Sequence, residues 1–132
     1  MAPGSSSLSE AELEVLRTLW KLETATTRQV QESLQRAGRS WAYTTVKTLL
    51  DRLEVKGAVS RDSTRMAHSF RPAISRLDLA VRGIRETVAR VGGVEKPWLV
   101  RALLEETQLS SGDLEALRGL LDELELRERS QP

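Results

Sequence analysis

Residues Ser40 to Gly57 read SWAYTTVKTLLDRLEVKG, and the division of this stretch into two unlike faces decides the fold. Val46, Leu49, Leu50 and Leu53 fall on one stripe of an α-helix running from about Ala42 to Lys56, a stripe suited to burial. The other side carries Thr44, Thr48 and Asp51, flanked by Thr45, Lys47 and Arg52. Gly57 supplies the left-handed position that stops the helix. Val55 lies nearly opposite the stripe and is expected to pack against whatever follows. Trp41 and Tyr43 form an aromatic pair at the front.

Upstream, two shorter helices are predicted. Ser9 serves as N-cap of the first, with Glu12 completing a capping box and Leu8 stapling onto Leu13. Leu13, Leu16, Leu19 and Trp20 form its inward stripe, and it ends near Glu23. A second helix starts at Thr26 with Gln29 three residues on, buries Val30, Leu34 and Ala37, and stops at Gly38. Downstream, Ala58–Arg61 and Met66–Arg71 flank a polar turn and read as a small antiparallel hairpin that Pro72 ends. Three helices and a hairpin are the layout of a winged helix, here over residues 8–73, preceded by a flexible tail at 1–7.

The second half changes character. Ser75 and Asp78 form another capping pair, and Ile74, Leu77, Val81, Ile84, Val88 and Val91 repeat at alternating spacings of three and four, a narrow seam that suits a partner helix. Gly92-Gly93 interrupts it, and Pro97 fits the first turn of a short helix carrying Trp98, Leu99 and Leu103. The last helix opens with Leu109 as staple, Ser110 as N-cap and Asp113 at its third position; Leu114, Leu117, Leu121 and Leu124 continue its stripe. Residues 74–127 lack a hydrophobic centre large enough to stand alone, so they are expected to form a helical dimerisation region, with a frayed tail at 128–132. The rival arrangement folds these helices back onto the N-terminal domain.

Composition narrows the chemistry. The 132 residues include no cysteine and a single histidine, which excludes disulfides, thiolate metal sites and a Cys–His pair. Neither a G-x-S-x-G elbow nor a glycine-rich phosphate loop occurs, so no catalytic residue and no cofactor are expected. No apolar run approaches a membrane span and no secretory signal opens the chain, so the expectation is a cytoplasmic protein without membrane contact. A net charge of +1 conceals a local excess, since Arg36–Arg71 holds 8 basic against 3 acidic residues. A polyanion responds to the face it meets rather than to the total.

A helix of this width fits the major groove of duplex DNA, where short hydroxyl side chains let the backbone approach base edges. Thr44, Thr45, Lys47 and Thr48 are therefore the base-reading candidates. Thr26, Thr27, Arg28, Trp41, Tyr43 and Arg52 are placed near the phosphate strands, with Arg61, Arg65 and His68 on the hairpin. Several have a plainer alternative: capping and solubility for Thr26, Thr27 and Arg28, core packing for Trp41, edge decoration for Arg61, a structural hydrogen bond for His68. Asp51 requires a cation or a cytosine amine to offset it, and Arg52 is the nearest basic neighbour in sequence.

LSEAELEVLRTLW at Leu8–Trp20, WAYTTVKTLLDRLEVKGAVSR at Trp41–Arg61 and the late LVRALLEETQLSSGDLEALRGLLDELE together resemble the penicillinase-repressor family of bacterial transcriptional repressors, of the BlaI, MecI and CopY type. The resemblance implies a homodimer whose winged helices bind a palindromic double-stranded DNA operator and block transcription without a chemical step. It implies control of beta-lactam resistance or related stress genes, and an inactivating protease or sensor pathway as the release signal. The cysteines of the copper-responsive branch are absent, which argues against copper sensing by that route. The alternative is a winged-helix protein-interaction module without specific DNA recognition.

Overall fold

A computed structural model of the chain describes residues 7–64 and 68–131. Most of the expected N-terminal tail, the wing residues Arg65 and Met66, and the terminal Pro132 lie outside the described residues. The element order is α1 (Glu10–Leu22), β1 (Ala25–Thr26), α2 (Thr27–Arg36), α3 (Tyr43–Val55), β2 (Val59–Asp62), β3 (Ser69–Pro72), α4 (Arg76–Val91), α5 (Lys96–Glu105) and α6 (Ser111–Ser130). Two compact units divide at Arg90 and Val91.

In the first unit α1, α2 and α3 enclose a core made of Val15, Leu16, Leu19, Val30, Leu34, Val46, Leu49, Leu50 and Leu53, closed by Ala58, Val59, Phe70 and Ile74. The four α3 side chains each contribute about 2 kcal/mol by leaving water. Three strands lie beside the helices in the order β1-β3-β2, both pairings antiparallel. Arg61 and Ala25 both pair with Phe70, from opposite edges of β3. The sequence predicts the hairpin but not β1, because two residues carry no alternation to detect. Pro72 closes β3 opposite Val59, at the strand end where a missing N–H does no harm.

Several inward assignments shift. Val15 is fully buried in α1, while Leu13 is only half-buried. Glu12 occupies the inward slot one turn before Val15 and Leu16, with 2% of its surface exposed. Its carboxylate accepts from the Ser9 backbone N–H at 2.8 Å and from Lys56 Nζ at 2.8 Å, while its own N–H donates to Ser9 Oγ. Burial opposes ionisation of Glu12. The Lys56 hydrogen bond, the two Ser9 interactions and the Lys56 charge together outweigh it and hold the carboxyl below its ordinary value of 4.5. This pair ties the C-terminal end of α3 to the first turn of α1.

Ala37, expected inside, is exposed, since the chain leaves α2 there and Gly38 turns it with φ 95°. Val55 does not pack against the hairpin and is 77% exposed. The chain leaves α3 on the core side, where the Ala58 N–H donates to Leu53 O at 2.9 Å, so nothing reaches back over Val55. Between α1 and β1 the chain reverses in a γ-turn at Glu23, with φ 71°, and the Thr24 N–H donates to Leu22 O at 2.8 Å. A non-glycine residue is strained there. Glu23→Gly is expected to raise unfolding stability by about 1 kcal/mol, read from a thermal melt; a lower melting temperature would remove the strain.

Ile74 is a correction to the predicted seam. It is 6% exposed, buried in the winged-helix core, and its carbonyl accepts from Trp20 Nε1 at 2.9 Å. Arg76 sits 4.8 Å over the Trp20 ring, and Leu79 packs against the same core. These anchors hold the first turn of α4 to α1, so the compact unit continues past the expected boundary at residue 73. The Asp78 N–H donates to Ser75 Oγ at 3.0 Å, as the capping pair requires.

The second unit begins at Val91, followed at once by two left-handed glycines, Gly92 and Gly93. Pro97 stands in the first turn of α5, and Ser110 with Asp113 forms a full capping box on α6. Helix α6 runs past the expected fray point at Arg127 to Ser130. There Arg129 faces Glu125 at 3.8 Å, Ser130 Oγ donates to Leu126 O at 2.9 Å, and basic side chains favour the negative end of the helix. Neither α5 nor α6 has a buried residue. Among the described residues no helix is long and apolar enough to cross a membrane.

Candidate nucleic-acid interface

With Val46, Leu49, Leu50 and Leu53 turned inward, α3 presents Thr44, Thr45, Lys47, Thr48 and Arg52 to solvent. Thr44, Thr45, Thr48 and Arg52 share a shallow recess of about 280 Å³ floored by Leu49. The N-cap of α3 is Ala42, whose side chain offers no hydrogen bond to the first backbone N–H groups of the helix. That end of α3 favours an anion.

A larger open cleft of about 420 Å³ gathers three separate segments. Thr26, Thr27 and Arg28 enter from the start of α2, Tyr43 and Lys47 from α3, and Arg61, His68 and Phe70 from the hairpin. Thr26 is committed as a cap: its Oγ1 accepts from the Gln29 N–H at 3.2 Å, and Gln29 Oε1 accepts from the Thr26 N–H at 2.8 Å. Thr27 is buried and is not positioned to project into a groove. Arg28 lies 5.6 Å from the Tyr43 ring centre, so the aromatic face orients a cation at the rim. Trp41 is half-buried against the core, its carbonyl accepts from Gln31 Nε2 at 3.2 Å, and Arg39 lies 5.7 Å over its ring. The packing alternative for Trp41 is thus what its side chain adopts, and Tyr43 is the more exposed of the two.

The charges between α3 and the hairpin differ from the sequence expectation. Asp51 is offset by Arg61 and Lys47, not by Arg52: Arg61 Nη2 donates to Asp51 Oδ1 at 2.6 Å, and Lys47 Nζ to Asp51 Oδ2 at 3.2 Å. Arg61 also reaches Glu54 Oε1 at 3.1 Å and stands over the Phe70 ring at 5.0 Å. Its Nη1 lies 3.3 Å from His68 Nδ1. A guanidinium only donates, so in this contact the acceptor is His68 Nδ1. Arg61 is therefore only 24% exposed at its side chain and is engaged within the protein. Arg65, the expected wing-tip contact, lies outside the described residues.

Sequence reasoning missed Glu54 and Phe70 as parts of this arrangement. Asp51 and Glu54 stand one turn apart on one helix side, and a basic residue in the next strand was the signal available. Among the described residues no group of three or more His, Asp or Glu side chains is gathered for a metal ion.

The penicillinase repressor family model matches residues 8–123. The chain is 33% identical over 128 residues to the transcriptional regulator BlaI of Mycobacterium tuberculosis, covering 95% of this chain and 90% of that one. It is 28% identical to the penicillinase repressor of Bacillus licheniformis, covering 92% and 94% respectively. It is 27% identical to the methicillin resistance regulatory protein MecI of Mammaliicoccus sciuri, covering 87% and 93%. Among solved structures, the DNA-binding domain of the repressor BlaI superposes with a TM-score of 0.50 at 31% identity, covering 59% of this chain and 90% of that domain. A winged helix of this order, an exposed hydroxyl-bearing α3 and a match across nearly the whole length agree: the chain belongs to the penicillinase repressor family of DNA-binding transcriptional repressors.

Proposed function

We propose that this repressor binds a two-fold symmetric operator as a homodimer, with α3 of each protomer in the major groove. Thr44, Thr45, Lys47 and Thr48 then face base edges, where a threonine hydroxyl reads donors or acceptors and its methyl meets that of thymine. Arg28, Tyr43 and the open N-terminus of α3 lie against a phosphate strand, with Arg52 at the far end of the helix. The observation that carries this reading is the full burial of Val46, Leu50 and Leu53, which leaves the threonine face free. The dimer is supported by the α4 stripe, where Leu77, Val81, Ile84 and Val91 are exposed in a single chain, and by exposed Trp98, Leu103, Leu114, Leu121 and Leu124 on α5 and α6. Apolar faces of this extent suit a protein partner. Leu99, Leu117 and Val88, half-buried, belong to the same stripes.

The names of the relatives, a methicillin resistance regulator and a penicillinase repressor, support genes of beta-lactam resistance as targets; control of a related stress response, and release through a sensor or protease pathway, rest on the family resemblance alone. Action on chromosomal DNA implies a cytoplasmic site of action. Selection of bound fragments from the source genome by the purified protein is the direct test. Enrichment of two-fold symmetric sites is expected; equal affinity for every duplex at physiological salt would instead favour a protein-interaction module. Within an enriched site, Thr48→Ala is expected to flatten discrimination at one base position by about 1–3 kcal/mol, measured by competition among single-base variants.

A further inference from the structure

We propose that Arg61 is a positioning residue: it holds the hairpin on α3 and, together with Lys47, neutralises Asp51 and Glu54, so that DNA meets a docked wing and no free carboxylate. This rests on α3 and the hairpin facing DNA, as proposed above. Arg61 lies in β2, and its guanidinium crosses to α3, where it donates to Asp51 at 2.6 Å and Glu54 at 3.1 Å. On the β3 side it meets His68 Nδ1 at 3.3 Å and the Phe70 ring at 5.0 Å. Four groups, from α3, from β3 and from the residue just before β3, thus converge on one cation. Its Nε is buried and finds no hydrogen-bond partner among the described residues, a cost tolerated for the sake of the other contacts.

An arginine directed at phosphate keeps its donors in solvent, as an exposed basic side chain does. Here they are used on carboxylates that stand beside Lys47 and Thr48 on the reading helix. Removing the cation leaves Glu54 without it and Asp51 with Lys47 alone, facing a polyanion, and removes the ion pairs that join β2 to α3. The residue acts through the charges it covers and the strand it holds.

Arg61→Gln is made in the wild-type chain and in the background Asp51→Asn with Glu54→Gln, and each protein is titrated against a duplex enriched by the wild-type chain across a series of salt concentrations. In the wild-type chain the substitution is expected to weaken binding about tenfold or more; in the carboxylate-free background, by less than about twofold. Equal loss in both backgrounds, with the salt slope reduced by about one, makes Arg61 a phosphate contact and overturns the proposal. A second arm needs no DNA: amide hydrogen exchange in β2 and β3 of the free protein is expected to speed up about tenfold in Arg61→Gln. Unchanged exchange overturns the clamp. Sequence-independent affinity of the wild-type chain would sink the operator reading alone, while the exchange arm still decides whether Arg61 holds the hairpin.

Discussion

Lys56→Met is expected to lower unfolding stability by about 3 kcal/mol, because it strands the Glu12 carboxylate in the core. Lys56 retains some solvent contact, which sets the loss at the low end of the range for a broken buried pair. Against the 5–15 kcal/mol that folds a typical domain, this is a large fraction. Urea unfolding at neutral pH measures it. Adding Glu12→Leu to Lys56→Met is expected to return much of the loss, since an apolar residue of similar size needs no partner. The pH dependence carries the sign. In the wild-type chain Glu12 has a folded value below 4.5, so its contribution is present above that pH and is lost as pH falls through the folded value. In Lys56→Met burial acts unopposed by the lysine, the folded value rises, and acidification from neutral is expected to narrow the gap to wild type. A gap that widens on acidification would mean that Lys56 does not stabilise the ionised form.

Ile84→Asp is expected to produce monomers in sedimentation and to lower affinity for a full operator by about 10²- to 10⁴-fold, with half-site affinity unchanged. Ile84 lies in the middle of α4 between Val81 and Val88, and in a single chain it is 40% exposed. A carboxylate there has no counter-ion inside an apolar contact, so the contact opens rather than bury it. The collapse in affinity follows from linkage: two joined heads bind the second half-site at a high local concentration, and separated heads do not. The substitution is on an exposed helix face and leaves the winged-helix core intact, so thermal melts of the first unit provide the control. An unchanged mass would place the contact between protomers on other surfaces.

How much of this was legible in the sequence depends on the kind of signal. The capping boxes at Ser9, Thr26 and Ser110 and the four buried positions of α3 all appear where local rules put them, since each depends on residues three or four apart. The errors arise where a partner is distant in the chain. Glu12 reads as a capping residue, which it is, and only the fold shows that Lys56, 44 positions away, pairs with it in a buried site. Ile74 fits the period of the seam, and only the packing of α1 against β3 reveals that the core claims it. Arg61 reads as a basic residue on the hairpin, at the DNA backbone or decorating a strand edge, and only the fold shows its carboxylate partners. Strand β1 is too short for any periodic signal, and its existence follows from the turn at Glu23.

That two-residue strand has a mechanical consequence. By pairing Ala25 and Thr26 with β3, it bolts the threshold of α2 to the same strand that carries the wing, and Arg61 fastens the wing to α3. The parts proposed to straddle the double helix then form a rigid caliper of fixed gape. A target of the wrong groove width must deform to enter it, so bases that no side chain touches still affect how well a site is bound, through the stiffness of their stacking.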